Sequence, residues 1–143
     1  MNDLIIGQVL WLVFRFNNTG DVSETKHPYL VAYIGEDVVE VIQLTSLKEG
    51  NMSLALSKRN KVIECEFPVE SVINKDSVAQ LDNKFTIDNY CGLSQFRQTV
   101  VTLTEDRLRD VLSDYAKYHR NNVIDENRIV HLTKDEIELL NPT

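Results

Sequence analysis

Hydrophobic and polar positions divide this chain into short apolar runs separated by turn chemistry, with one clear helical stretch late in the sequence. From Leu4 to Phe16, β-branched and aromatic residues crowd together with too little polar spacing for an amphipathic helix. That predicts a long, largely buried first strand, with a bend or close backbone approach at Gly7. Asn17-Asn18-Thr19-Gly20-Asp21 is turn chemistry, and the polar loop from Asn17 to Thr25 is long for a plain hairpin, so it is a candidate functional loop. Lys26-His27-Pro28 ends the loop, and Tyr29 to Ile34 predicts strand two. Proline fixes φ and donates no hydrogen bond, which suits the opening of a strand. Gly35-Glu36-Asp37 turns the chain into strand three, Val38 to Leu44, which ends in the hydroxyls of Thr45 and Ser46.

Lys48 to Asn51 is a further turn, and Leu54 to Arg59 is too short and mixed to assign. Lys61 to Phe67 reads as a strand that Pro68 closes. Glu70 to Ile73 leads into a turn at Asn74-Lys75-Asp76. Ser77 to Asp82 is a short strand, followed by Asn83 to Asp88. The segment from Cys91 to Thr99 predicts a short turn of helix. Thr102 or Thr104 then caps a helix with Leu108, Val111, Leu112, Tyr115 and Tyr118 at helical spacing. A basic last turn and an asparagine stop end it at His119 to Asn122. Arg128 to Leu132 is one more strand, and Thr133-Lys134-Asp135-Glu136 is a capping box opening a last helix through Leu140. Without repeats or linkers, residues 1–143 read as one domain. Its class is α+β, mainly β: a small antiparallel barrel or sheet with helices packed on it.

Composition narrows the function classes. Hydrophobic residues make up 43% and charged residues 26% of the 143, a globular balance that excludes a disordered chain. The longest apolar stretch, Val9 to Phe14, is far short of the ~20 residues needed to span a bilayer. The N-terminus has no basic n-region or cleavage site, so a cytoplasmic protein without membrane partners is expected. Cys65 and Cys91 form no CxxC pair and read as two free, buried thiols. A net charge of −7 argues against a broad basic face for duplex nucleic acid, while leaving room for a small groove that holds a single strand through local cations.

The first functional candidate is His27. Histidine is the side chain whose unperturbed pKa, about 6.5, allows proton transfer near neutrality, and loop ends on rigid sheets are where chemistry is usually placed. The competing reading is a turn that carries a basic pair. Trp11, Phe14 and Phe16 read as core, with Phe16, nearest the loop, also a candidate for stacking on a base. Arg15 reads as a solvated arginine, or else as a phosphate contact. His119 and His131 have no metal-ligand spacing and read as surface or cap histidines, so no metal and no cofactor is expected. No phosphate-binding glycine loop is present.

The order of these signals resembles the MazF/PemK/Kid family of ribonuclease toxins, over roughly residues 6 to 115. Gly7-Gln8-Val9-Leu10-Trp11 and His27-Pro28-Tyr29-Leu30-Val31 resemble the family's first two strands, and Val41-Ile42-Gln43-Leu44-Thr45-Ser46 is similar to its third. Ser77 to Asp88 is similar to the family's Ser-Val-x-x-x-Asp-Gln-x-Arg-Thr-Ile-Asp, and Leu103 to Leu108 to its helix opening. The resemblance implies a small SH3-like, Kid-type barrel over residues 4–118, with residues 119–143 as a C-terminal extension. It implies a homodimer that cuts single-stranded RNA without metal, leaving a 2′,3′-cyclic phosphate and a 5′-hydroxyl, and that is neutralised by a cognate antitoxin.

Carried over residue by residue, the family's catalytic arginine falls on His27 and its catalytic threonine on Thr45. Cleavage by the 2′-hydroxyl needs proton transfer and stabilisation of a developing anion. Histidine supplies the first and the neighbouring Lys26 the second. Ser46, Asp82, Gln80 and Phe16 complete the implied RNA-binding set. Gln80 and Phe85 stand where many members carry arginines, which leaves Lys84 as the cation nearest Asp82. A second reading keeps the same fold as a non-catalytic module that binds a protein or RNA, since fold does not fix chemistry.

Overall fold

The computed structural model describes residues 2–46, 59–63, 77–99 and 101–142. The chain is α+β and mainly β. Among the described residues there are seven strands, β1 (Val9–Leu12), β2 (His27–Ile34), β3 (Val38–Ser46), β4 (Asn60–Ile63), β5 (Ser77–Gln80), β6 (Lys84–Asp88) and β7 (Ile129–Leu132). Its helices are α1 (Glu105–Asn121) and α2 (Lys134–Leu140), with a 3₁₀ turn at Cys91–Phe96. The expected turns at 48–51 and 74–76, the unassigned stretch 54–58 and the far part of the 61–67 strand lie outside the described residues. So does Cys65. Among the described residues no helix is long and apolar enough to cross a membrane.

β1, β2 and β3 form an antiparallel meander, and the other edge of β3 is shared. Its first half, Val38 to Val41, pairs with β6, and its last three residues, Leu44 to Ser46, pair with β5. β4 adds to β5, and β7 adds to β6 in the one parallel pairing of the sheet. The sheet therefore forks at β3. Side chains alternate across it, as they must in a pleated strand. Val9, Leu30, Ile42, Leu44 and Ala79 pack on one face with Leu103, Val111 and Tyr115 of the α1 region. Leu10, Leu12, Tyr29, Val31, Val41, Phe85, Ile87, Val130 and Leu132 line the other, covered by Leu93, Phe96 and Ile137. Phe14 is the centre of that second core, with its ring 4.9 Å from Tyr29 and 4.8 Å from Phe85.

The first strand is shorter than the apolar run predicts. Gly7, at φ +100°, turns the chain ahead of it, and a Cβ there would lie 2.9 Å from Leu108 Cδ2. Directly beyond Leu12, side chains take the backbone groups of Val13 and the N–H of Phe14. Asn141 Oδ1 accepts from Val13 N at 2.7 Å, Asn141 Nδ2 donates to Val13 O at 2.9 Å, and Ser23 Oγ accepts from Phe14 N at 3.1 Å. The sheet curls until this segment meets β7, where Asn18 Nδ2 donates to the carbonyls of Glu126 and Ile129 and Arg15 Nη2 donates to that of His131. Arg15 also pairs with Glu136 at 3.2 Å and keeps its side chain 22% exposed, so it is a clamp within the fold. Glu136 is drawn away from the capping box, of which only the Thr133 half forms.

Other boundaries moved by one or two residues. β2 begins at His27 and β3 runs on through Thr45 and Ser46, while β5 stops at Gln80. Thr104 occupies the start of α1 without a capping bond from its hydroxyl, and Asn122 Nδ2 closes the end by donating to Tyr118 O at 3.0 Å. Cys91, expected in the core, is exposed.

Asn141→Ala would leave both backbone groups of Val13 without their partner. Two part-buried amide groups left with poor hydrogen bonding cost about 2 kcal/mol, so urea unfolding should show an unfolding free energy lowered by that amount. A loss under about 0.5 kcal/mol would remove this clamp from the account of the fold.

Candidate functional site

Three polar arrangements lie outside the two cores, and the sequence-derived candidates are divided among them. The first is built by the fork in β3. Between the pairs Leu44↔Ala79 and Val41↔Phe85 the β5–β6 segment has three more residues than β3 can match, which extrudes Leu81, Asp82 and Asn83. Their backbone is satisfied from outside the ladder: Leu81 N donates to Arg59 O, and Leu81 O faces His119 Nε2 at 2.8 Å. His119 is fixed by its ring contact with Tyr115, centroids 4.1 Å apart.

This bulge organises a continuous chain of side chains. Gln80 Nε2 donates to Thr45 Oγ1 at 3.0 Å, Asn83 Nδ2 donates to Gln80 Oε1 at 3.1 Å, and Arg128 Nη1 donates to Asn83 Oδ1 at 3.2 Å. Arg128 also pairs with Asp82 at 3.2 Å, and Arg59 approaches the same carboxylate at 3.7 Å. Thr45, Gln80 and Asp82 are thus brought together. Arg59, Asn83 and Arg128 were missed by sequence reasoning. Nothing in their spacing marks them, because they come from the start of β4, the bulge and the approach to β7. Phe85, at the second arginine position of the resembling motif, is fully buried in the aromatic core. Ser46 pairs across to Ser77 at the end of β3.

The second arrangement surrounds the start of β2. Pro28 lies opposite Trp11, and His27 opposite Leu12. Trp11 is 42% exposed, so the core assignment fails for it and also for Phe16 at 40%; of the three aromatics only Phe14 is buried. Trp11 and the exposed Lys26 line a cavity of about 360 Å³ with Gln95, Phe96, Arg97 and Gln98. Phe16 sits apart from it in the 15–22 loop, its N–H bonded to Asp21 O. His27 is half-buried at the rim of the sheet and makes no side-chain hydrogen bond to any described residue. The β2–β3 ladder ends at Tyr29↔Gln43, two residues short of His27 and Thr45, which pair instead with Leu12 and Val78 on their other edges.

The third was not foreseen. His131 Nδ1 lies 2.8 Å from Thr86 Oγ1 and its Nε2 lies 2.8 Å from Asp88 Oδ1, while Asp88 Oδ2 accepts from Lys134 N at 2.9 Å. Only the parallel β6–β7 register, Thr86↔His131, creates it, and that pairing spans 45 residues of sequence. The backbone N–H of Lys134, and after it the hydrogen bond and charge of His131, hold the Asp88 carboxyl below the usual carboxylate range. The group latches β7 and α2 to the sheet. Elsewhere Tyr115 donates to Glu40 at 2.5 Å, and burial first, then Glu40, pushes its phenol far up. Among the described residues no group of three or more His, Cys, Asp or Glu is gathered to hold a metal.

Set against known proteins, the chain matches no family model and no curated protein.

The Asp88 latch has a defined pH dependence. A carboxyl whose folded pKa is depressed adds stability above its unfolded pKa of about 4, and that stability is lost as pH falls through the lower folded value. At this partly exposed site, screening keeps the contribution below about 1 kcal/mol. Asp88→Asn should therefore lower Tm at pH 7, and its Tm should converge with the wild type on acidification below about pH 4. An offset that persisted unchanged into acid would assign the loss to something other than the charge.

Proposed function

We propose that the protein is a metal-independent endoribonuclease of the MazF/PemK type, acting on single-stranded RNA in the cytoplasm as the toxin of a toxin–antitoxin pair. The observation that carries this reading is that His27 and Thr45 each stand two residues beyond the last β2–β3 pair, Tyr29↔Gln43, at the adjoining ends of these strands. These are the two positions that the family resemblance marks for catalysis.

The chemistry follows from the donors and acceptors on the page. Gln80 donates to the Thr45 hydroxyl, which leaves that hydroxyl's own proton free to donate to a phosphate oxygen. His27, with no competing hydrogen bond among the described residues, takes the proton of the attacking 2′-hydroxyl. The 2′-oxygen forms its bond to phosphorus as the bond to the 5′-oxygen breaks, and the 5′-oxygen leaves with a proton from solvent. Lys26, exposed and adjacent, offsets the charge that builds on the phosphate. Asp82 and Gln80 act behind this pair by holding Thr45 through the bulge network. On the same reading the protein works as a homodimer and its antitoxin occludes this strand-end surface.

Incubation of a long single-stranded RNA with the protein in EDTA should give cyclic-phosphate and 5′-hydroxyl ends. His27→Ala should slow cleavage by about 10²-fold or more, the usual size of a proton-transfer contribution. Thr45→Val should slow it by about tenfold or more, and Thr45→Ser, which keeps the hydroxyl, should restore most of the rate. RNA left intact at high protein concentration across many sequences would remove the nuclease and leave a binding module. Cleavage that survived His27→Ala would remove this residue from the proton transfer.

A further inference from the structure

Apart from Lys26, the cavity beside β1 is lined by residues that the cleavage chemistry does not use. Its position follows from how the 3₁₀ turn leaves the sheet: Leu10 bridges to Arg97, and Gln98 N donates to Val9 O. These two contacts lay Gln95 to Gln98 along the outer edge of β1, and the pairing of Trp11 with Pro28 brings Lys26 to the same place. Leu10 and Leu12 turn into the core, so Trp11 between them turns out, with its indole 42% exposed against the cavity. Phe96, 8% exposed, supplies an apolar floor. Gln95 and Gln98 add two exposed primary amides.

The charges are unequal in availability. Arg97 is held by Asp3, at 3.2 Å between Nη1 and Oδ1. Lys26 makes no ion pair with any described residue. An exposed aromatic face, an apolar floor, two amides able to donate and accept, and an uncommitted cation are the features that hold one nucleotide of a single strand. The base stacks, the amides meet its edge and the cation meets its phosphate. A duplex presents no free base face and would meet an acidic body.

We propose that this cavity is a nucleotide subsite: one base of single-stranded RNA stacks on Trp11, with its phosphate at Lys26. The inference rests on the RNA reading above and adds to it the place where sequence preference is set.

Trp11 is the only tryptophan of the chain, so its fluorescence reports this site alone. The wild-type protein is titrated with a single-stranded RNA that is 2′-O-methylated throughout, and therefore cannot be cut. Binding is followed in parallel by the anisotropy of a label on the RNA. Saturable quenching of Trp11 that tracks the anisotropy is expected. Trp11→Ala should weaken binding by about tenfold or more, Trp11→Phe should stay within a few-fold of the wild type, and Lys26→Gln should flatten the salt dependence. An anisotropy change with unaltered Trp11 fluorescence would overturn the subsite and leave the RNA reading standing. Quenching without cleavage of unmodified RNA would keep the subsite and remove the nuclease. Neither signal, in a protein whose circular dichroism is native, would overturn both.

Discussion

The backbone of β3 has to be satisfied along both edges, and the way its second edge is filled decides most of what surrounds it. A buried strand cannot leave its amides unpaired. β2 covers one edge; β6 and β5 divide the other, out of step by three residues. That mismatch forks the sheet, sending β5 and β4 toward α1 and β6 and β7 toward α2. It also pushes out the residues that carry Asp82 and Asn83. The same irregularity that branches the fold therefore builds the polar network reaching Thr45. Neither could be altered without the other, because the extruded backbone is held by Arg59 and His119 from two different elements.

Charge separates the polar sites into those already neutralised and the one that is not. At Asp82 two guanidiniums meet a carboxylate that is only 13% exposed, and an incoming phosphate would have to compete with it. At Asp88 the imidazole and a backbone N–H fill the carboxylate. Lys26 faces no such competitor among the described residues. On the proposed reading, the strand end carrying His27 is, of these three arrangements, the one where a phosphate meets a cation with no partner to give up. The bulge network then serves position, by orienting the Thr45 hydroxyl, more than attraction.

Much of this was legible in the sequence. The strand order, the α1 span with its Asn122 stop, and the special backbone at Gly7 all follow from local pattern, because each is a local rule. What was not legible depends on contacts distant in sequence. The long first strand fails since Asn141, 128 residues away, takes the Val13 backbone, and no periodicity reports that. Trp11 looked like core because an apolar run hides which alternate positions face out, and only the register with β2 tells them apart. The candidate site was half visible: His27, Lys26 and Thr45 stand at strand ends marked by Pro28 and by paired hydroxyls. Arg59 and Arg128 reach Asp82 only through the parallel pairing of β7 and the bulge, neither of which leaves a motif.

The segment after α1 is part of this arrangement and not an appendage. β7 buries Val130 and Leu132, and α2 buries Ile137 in the core that holds Phe14 and Phe85. On the proposed reading, Phe85 occupies a position where the resembling family carries an arginine. A buried aromatic there needs partners, which Phe14 and Tyr29 provide, and it needs the sheet edge beyond it covered, which β7 does. The approach to β7 in turn delivers Arg128 to Asp82. The same C-terminal segment thus closes the core around the Phe85 ring and supplies a cation to the Asp82 carboxylate, so these two parts of the structure are, physically, one arrangement.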